Sequence, residues 1–90
     1  MAITWESDRG EHLARHGVTI PQAEEAFYDV DAVVINPDYA SKSGKSVRTI
    51  GYSPSFGDLL AVITVLHGGN TYGATAFRAE GRDRRYYEEA

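Results

Sequence analysis

The sequence predicts a single α+β domain spanning residues 1–90, with an antiparallel β-sheet and the element order β-α-α-β-β-β-β-α. Three strand-like runs joined by two short turns follow one another in the second half of the chain. Two segments with helical spacing of apolar residues precede these runs, and a charged helical segment follows them. We expect both N-terminal helices to pack on one face of the sheet.

The N-terminal segment predicts a short strand followed by a helix. Residues 3–5 (Ile-Thr-Trp) are of types that favour strands. Ser7 or Asp8 can cap the helix, which runs to about His16. It ends at Gly17, because glycine tolerates the left-handed conformation found just after a helix C-terminus.

The next segment predicts a second helix and a second strand. Thr19 and Gln22 have the spacing of a capping box, and Pro21 lies in the first turn, where a missing N–H costs little. Residues 32–35 (Ala-Val-Val-Ile) then predict a strand. Residues 37–46 form the longest loop.

Three consecutive strands and a terminal helix complete the predicted fold. The strands are Val47–Ser53, Leu59–Leu66 and Thr71–Arg78. The turns between them, Pro54–Gly57 and Gly68–Gly69, have strong turn chemistry. Because the middle run is apolar on both sides apart from Thr64, we expect it to be the central strand. Residues 80–90 predict a short C-terminal helix.

The turn lengths pair Ser53 with Asp58 and His67 with Asn70, which sorts the side chains onto two faces. The first face is the more apolar, and we expect it to take the helices; it carries Arg48, Ile50, Tyr52, Leu59, Ala61, Ile63, Val65, Tyr72, Ala74, Ala76 and Arg78. The second face suits water or a partner; it carries Val47, Thr49, Gly51, Leu60, Val62, Thr64, Leu66, Thr71, Gly73, Thr75 and Phe77. A one-residue bulge would reverse this assignment.

The charge distribution is uneven. The net charge of −4 argues against a general polyanion binder. Residues 1–38 have two basic and eight acidic side chains, a sum of −6, whereas residues 39–90 have seven basic and five acidic, a sum of +2. A basic patch that includes Arg82, Arg84 and Arg85 is therefore compatible with the composition, and these three are candidate RNA-binding residues. Arg9 is a fourth candidate, which only the resemblance described below implies.

Composition also bears on compartment and metal chemistry. The chain has no cysteine, which leaves the redox compartment open. Its longest apolar run is far shorter than the roughly 20 residues of a membrane helix, so we expect a cytoplasmic protein. His12 and His16 have the i, i+4 spacing of a helical metal pair, but no third ligand accompanies them. We interpret them as surface histidines and expect no metal and no cofactor.

A set of arginine, tyrosine and histidine side chains fits metal-free cleavage of RNA. The 2′-hydroxyl of RNA is itself the nucleophile, so the protein supplies only proton-transfer groups and fixed cations. The candidate catalytic residues are Arg48, Arg78, His16, Tyr86 and Tyr87. Tyr52 and His67 can also transfer protons, and the sequence does not determine which group acts as base and which as acid.

The two strand arginines have a second interpretation. A catalytic site requires Arg48 and Arg78 to reach one phosphate together. The alternative is that both form salt bridges at the rim of the sheet, for example to Asp29 or Asp31. Arginines locked in this way would argue against catalysis.

Short motifs follow one another along nearly the whole chain: Trp5-Glu6, Arg9, Arg15-His16-Gly17-Val18, then Ala23, Phe27 and Asp29, then Arg48-Thr49-Ile50-Gly51, the Leu60–Val62 strand, Arg78 and Arg84-Arg85-Tyr86-Tyr87. In this order and spacing they resemble the BrnT-type toxin family. The resemblance implies the RelE-like fold of small toxins and metal-independent endoribonuclease activity. The functional positions that it implies are Trp5, Arg9, His16, Arg48, Arg78 and a C-terminal tyrosine.

The resemblance also implies a partner, a cognate antitoxin that is a small ribbon-helix-helix DNA-binding protein. The leading hypothesis is thus the toxin component of a type II toxin–antitoxin module. Gly73 stands where the family usually has an arginine, and Ala76 where it has a serine. The alternative is therefore a catalytically silent relative that acts as a protein-interaction module. We expect the partner, or a second copy forming a homodimer, to dock on Leu60, Val62 and Phe77.

Overall fold

The structure, a computed structural model, describes residues 2–90 as five strands and three helices. In chain order they are β1 (Ile3–Thr4), α1 (Arg9–Ala14), α2 (Ile20–Phe27), β2 (Val33–Ile35), β3 (Ser46–Ser53), β4 (Asp58–His67), β5 (Asn70–Arg78) and α3 (Gly81–Glu89). The predicted order of elements is confirmed. The strands form one sheet in the order β1-β5-β4-β3-β2, so the predicted central strand, β4, is indeed central.

The sheet is mixed, which corrects the prediction of a purely antiparallel one. β1 pairs with β5 in parallel, Ile3 with Thr71 and Thr4 with Tyr72, whereas all other neighbouring strands are antiparallel. Hairpins force antiparallel pairing, but more than two thirds of the chain separates β1 from β5. The direction of β1 was therefore not determined by any local turn.

Local signals account for the helix ends. The Gln22 N–H donates to Thr19 Oγ1 at 3.3 Å, and the Thr19 N–H donates to Gln22 Oε1 at 3.0 Å, so the predicted capping box is confirmed. Gly17 follows α1 with a φ of +73°, as expected for a residue after a helix C-terminus. Asp8 is the N-cap of α1, but its carboxylate makes no capping hydrogen bond.

A bulge in β5 changes the faces of the residues that follow it. The predicted register of β3 with β4 is confirmed over its whole length. The register of β4 with β5 is as predicted from the hairpin to Thr64, which pairs with Gly73. Ile63 then pairs with Thr75, so Ala74 is an extra residue. Downstream of it, Thr75 and Phe77 lie on the first face, and Ala76 and Arg78 lie on the second.

The second face, and not the first, meets the N-terminal helices. Side chains from α1, α2, β4 and β5 form one core cluster, whose buried members are Leu13, Val18, Ala23, Ala26, Leu60, Val62 and Ala76. The prediction that the more apolar face takes the helices is therefore wrong. A Cβ atom on Gly51 would lie 1.9 Å from the Ala26 carbonyl oxygen, and one on Gly73 would lie 2.2 Å from the Trp5 ring. Glycine at these two positions lets α2 and Trp5 approach the sheet closely. Because glycine has no side chain, it also makes this face look less apolar in the sequence.

The first face has its own, smaller core. Ile50, Leu59 and Ala79 are buried together, with Ile35 and Tyr87 packed against them. Tyr87 belongs to α3, so the C-terminal helix covers part of this face. Among the described residues, no helix is long and apolar enough to cross a membrane.

Replacing Gly51 by alanine should destabilise the protein by about 3 kcal/mol or prevent folding, because the atom that its Cβ meets is a helix backbone oxygen. The matched control is Gly10→Ala in α1, where the nearest atom to the added Cβ is 3.9 Å away. This change should stabilise by about 0.4–1 kcal/mol, because alanine loses less backbone entropy on folding. Urea denaturation of both variants measures the difference, and equal midpoints would contradict the close contact between α2 and β3.

Candidate functional site

Arg48, on β3, is enclosed in a buried ion cluster on the first face. Its Nε atom donates to Asp38 Oδ1 at 2.8 Å, and its Nη1 atom donates to Asp83 Oδ2 at 2.6 Å. The arginine side chain is only 8% exposed, and both carboxylates are 5% exposed. Tyr39 packs on the cluster, since its hydroxyl donates to Asp83 Oδ1 at 2.6 Å and its ring centroid lies 4.4 Å from the guanidinium carbon.

This cluster joins a loop and a helix to the sheet. Burial opposes the charge on Arg48, but hydrogen bonds and charge from Asp38 and Asp83 outweigh it and raise the pKa of the guanidinium. Two buried carboxylates neutralise the arginine and accept hydrogen bonds from two of its five N–H groups. The catalytic role of Arg48 therefore stays a prediction, and its surroundings favour the salt-bridge alternative. Arg48 forms salt bridges, although not with Asp29 or Asp31.

Arg78 lies at the far end of β5 and shares one carboxylate with α3. Its Nη2 atom is 3.0 Å from Asp58 Oδ2, and Arg84 Nη1 donates to Asp58 Oδ1 at 2.9 Å. The Leu59 N–H and then Arg84 lower the pKa of Asp58, so this carboxylate stays ionised between the two guanidinium groups. Arg78 lies on the opposite face of the sheet from Arg48 because of the bulge. The predicted pair of arginines does not form one site.

The other predicted proton-transfer groups, Tyr87, Tyr86 and His16, make different contacts. The Tyr87 hydroxyl donates to Asp29 Oδ2 at 2.6 Å, which raises the pKa of Tyr87 to about 12 and makes it a poor proton donor near neutral pH. Tyr86 is exposed on α3. His16 follows α1, and its ring centroid lies 6.0 Å from that of Phe77.

The predicted RNA-binding arginines lie in three environments. Arg82 stacks on the Tyr39 ring, with 4.4 Å between its guanidinium carbon and the ring centroid. Arg84 is bound to Asp58, and Arg85 is exposed. Arg9 belongs to α1, far from these three in the sequence, and contacts β5 through the carbonyl oxygen of Ala74.

The predicted partner surface is inaccessible at two of its three residues. Leu60 and Val62 are fully buried in the cluster that contains α1 and α2 residues. Phe77 is half-buried and lies on the first face, because the bulge precedes it. A partner or a second copy cannot dock on Leu60 and Val62 while the domain is folded, so this prediction is wrong.

An open cavity of about 560 Å³ lies at the hairpin end of β4 and β5. It is lined by Glu6, Arg9, Val65, His67, Tyr72, Gly73 and Ala74. The cavity therefore brings together a carboxylate, a guanidinium group, an imidazole and a phenol ring. These are the groups that can transfer protons and bind an anion without a metal.

Three pieces of secondary structure position the cavity. Tyr72 pairs with Thr4 of β1, and Glu6 follows two residues later. Trp5 anchors this segment, since its ring lies on Gly73 and its Nε1 atom donates to Glu24 Oε2 at 3.1 Å. On the other side, His67 is the last residue of β4.

Arg9 is held at the edge of the cavity by its neighbours. Its Nη1 atom donates to the carbonyl oxygen of Ala74, the bulged residue, at 2.8 Å. Its Nε and Nη2 atoms donate to Asp8 at 3.1 and 2.9 Å, which raises the pKa of Arg9 and lowers that of Asp8. Arginine has five N–H groups, and these three bonds leave two for a ligand within the described part of the chain.

Sequence reasoning found only part of this constellation. The sequence predicts Arg9 as an RNA-binding residue and His67 as a group that can transfer protons. Glu6 and Tyr72 were missed, since Glu6 resembled a solvated helix residue and Tyr72 an ordinary strand residue. The only available signal was the position of Glu6 between Trp5 and Arg9.

A second, apolar groove of about 260 Å³ lies on the second face beside α2. Its lining residues carry no charge and are Phe27, Val34, Val47, Thr49, Thr64, Leu66 and Thr71. Val34 and Leu66 are 61% and 62% exposed, which is high for aliphatic side chains.

Within residues 2–90, no three histidine, aspartate or glutamate side chains are grouped so as to hold a metal ion. No protein-family model and no curated protein matches this chain.

Proposed function

We propose that this protein is a toxin-type endoribonuclease that cleaves RNA without a metal, and that its active site is the cavity at the β4–β5 hairpin. The observation that carries the proposal is the grouping of Glu6, Arg9, His67 and Tyr72 around one open cavity. A cation and two groups that transfer protons then reach one cleft, which is the requirement for phosphodiester cleavage. Arg48 and Arg78 take no part in the reaction.

The proposed reaction is a transesterification within the RNA. Glu6 accepts the proton of the 2′-hydroxyl, whose oxygen attacks the adjacent phosphorus. The bond from phosphorus to the 5′-oxygen breaks, and His67 gives a proton to that oxygen. The products are a 2′,3′-cyclic phosphate and a free 5′-hydroxyl.

Two further residues position the substrate in this mechanism. The two remaining N–H groups of Arg9 face the negative charge that develops on the phosphoryl oxygens, and the bonds to Asp8 and Ala74 fix their direction beforehand. Tyr72 offers its ring to an unpaired base, because every base has a face that can stack on an aromatic ring.

The resemblance to BrnT-type toxins supports the proposed ribonuclease activity, although Arg9 is the one functional position it implies that also lines the cavity. It also supplies the proposed biological setting, a type II toxin–antitoxin module with a ribbon-helix-helix antitoxin as partner. The motifs that carry it, Trp5-Glu6 and Arg9 among them, include two residues of the cavity.

The proposal is tested by incubating the purified protein with single-stranded RNA in EDTA. We expect cleavage with 2′,3′-cyclic phosphate ends, and growth arrest when the protein is induced in a host without the antitoxin. An inactive preparation of folded protein that also fails to arrest growth would reject the proposal.

A second candidate function is a non-catalytic protein-interaction domain. It is favoured by the exposed Val34 and Leu66 beside an uncharged groove, and by the neutralisation of Arg48. Under this hypothesis Leu66→Asp abolishes binding of the partner, whereas Glu6→Gln has no effect on growth arrest or on any other activity.

A further inference from the structure

We propose that the RNA substrate is a single strand that leaves the cavity along β5, with its bases on Tyr72 and Phe77 and its backbone against Arg9, His12 and His16. This inference rests on the proposed ribonuclease function and names the form of the substrate and its path.

We call this path along β5, from Tyr72 to Phe77, the track. The bulge at Ala74 is the first observation that supports it. Tyr72 pairs with Val65, and Phe77 pairs with Ala61, so both rings lie on the first face although they are five residues apart. In a regular strand an odd separation would place them on opposite faces. Both side chains are half-buried and keep part of their surface in solvent.

The distance between the rings suits a short nucleotide segment. With one of the five steps taken up by the bulge, four regular steps of about 3.3 Å separate the two residues by about 13 Å. A stacked strand advances about 3.4 Å per nucleotide, so about four nucleotides span the track. Unpaired bases are required, because a base inside a duplex cannot stack on a protein ring.

Polar side chains from α1 and the turn after it contact successive residues of β5. The Arg9 guanidinium binds the Ala74 carbonyl, and the His12 ring Nε2 atom lies 3.1 Å from Thr75 Oγ1. The next contact in order is that of His16 with Phe77, with ring centroids 6.0 Å apart. The three side chains thus form a row along β5, and each carries nitrogen atoms that can bind a phosphate oxygen when they are protonated.

The local charge supports the path. Residues 9–16 contain two arginines and one glutamate, a sum of +1 before any charge on the histidines, in a half of the chain whose sum is −6. A phosphate backbone therefore meets less repulsion along this segment than along the rest of the N-terminal half.

The test measures binding of labelled 2′-O-methyl oligonucleotides of two, four and six residues by fluorescence anisotropy. These probes lack the nucleophilic hydroxyl, so binding is separated from cleavage. We expect the affinity to rise from two to four residues and then to level off. Phe77→Leu should weaken binding of the four-residue probe at least about fivefold and leave the two-residue probe unchanged.

Two variants and one further probe complete the design. His16→Ala changes an exposed residue, so it tests the track even if Phe77→Leu does not fold, and it should also reduce the gain with length. His67→Gln should abolish cleavage of unmodified RNA but preserve that gain. A wild-type affinity that is independent of length, or an equal gain with a matched RNA duplex, would overturn the track. If affinity rose with oligonucleotide length but the protein cleaved no RNA, the binding track would be supported and the proposed ribonuclease activity would be rejected.

Discussion

Replacing Arg48 by methionine should destabilise the protein by about 3–5 kcal/mol, because the change removes the cation that pairs with two buried carboxylates. Asp38 and Asp83 would then face each other with 5% exposure and no positive partner among their recorded ion pairs. Methionine retains much of the side-chain volume, so the loss reports the missing charge. Urea denaturation at neutral pH measures it.

The matched control for this prediction is Arg78→Met. Arg78 also pairs with an aspartate, but its side chain is 58% exposed and Arg84 binds the same carboxylate. Water screens such a pair, so the loss should be below about 1 kcal/mol. If the two variants lost equal stability, Arg48 would not stabilise the protein through a buried ion cluster. A catalytic role for Arg48 would then again be the better interpretation.

A single residue explains most of the difference between the predicted and the observed sheet. The hairpin turns predicted the pairing of β3 with β4 and the first half of β4 with β5, since a turn fixes the register of the strands beside it. Ala74 then adds one residue to β5, and no feature of its side chain distinguishes it from the alanine at position 76. Bulges are set by packing on both faces, which a single sequence does not contain.

The candidate site was difficult to predict for a related reason. Its residues come from the segment after β1 and from the end of a hairpin, which are separated by about two thirds of the chain. Only the parallel pairing of β1 with β5 brings Glu6 to His67. In the same way, the sequence identified Arg48 as a candidate ion pair but not its partners, since Asp38 lies in a loop and Asp83 in a helix.

Glu6→Gln and His67→Gln should each reduce the rate of RNA cleavage by about 10²- to 10⁴-fold, because each removes one of the two proton-transfer groups. Both side chains are exposed, so neither change should lower the urea midpoint appreciably. The double variant should be little worse than the poorer single variant, because a base without its acid contributes little. The measurement is kcat/KM for a four-nucleotide RNA in EDTA.

The matched control is Glu11→Gln, which removes the same charge from an exposed position on α1 that does not line the cavity. It should leave kcat/KM within about threefold of the wild-type value, because salt screens the effect of an exposed charge outside the cavity. Equal losses for Glu11→Gln and Glu6→Gln would mean that Glu6 acts only through net charge. The active site would then have to lie elsewhere on the protein, since Glu6 is the proposed base of this cavity.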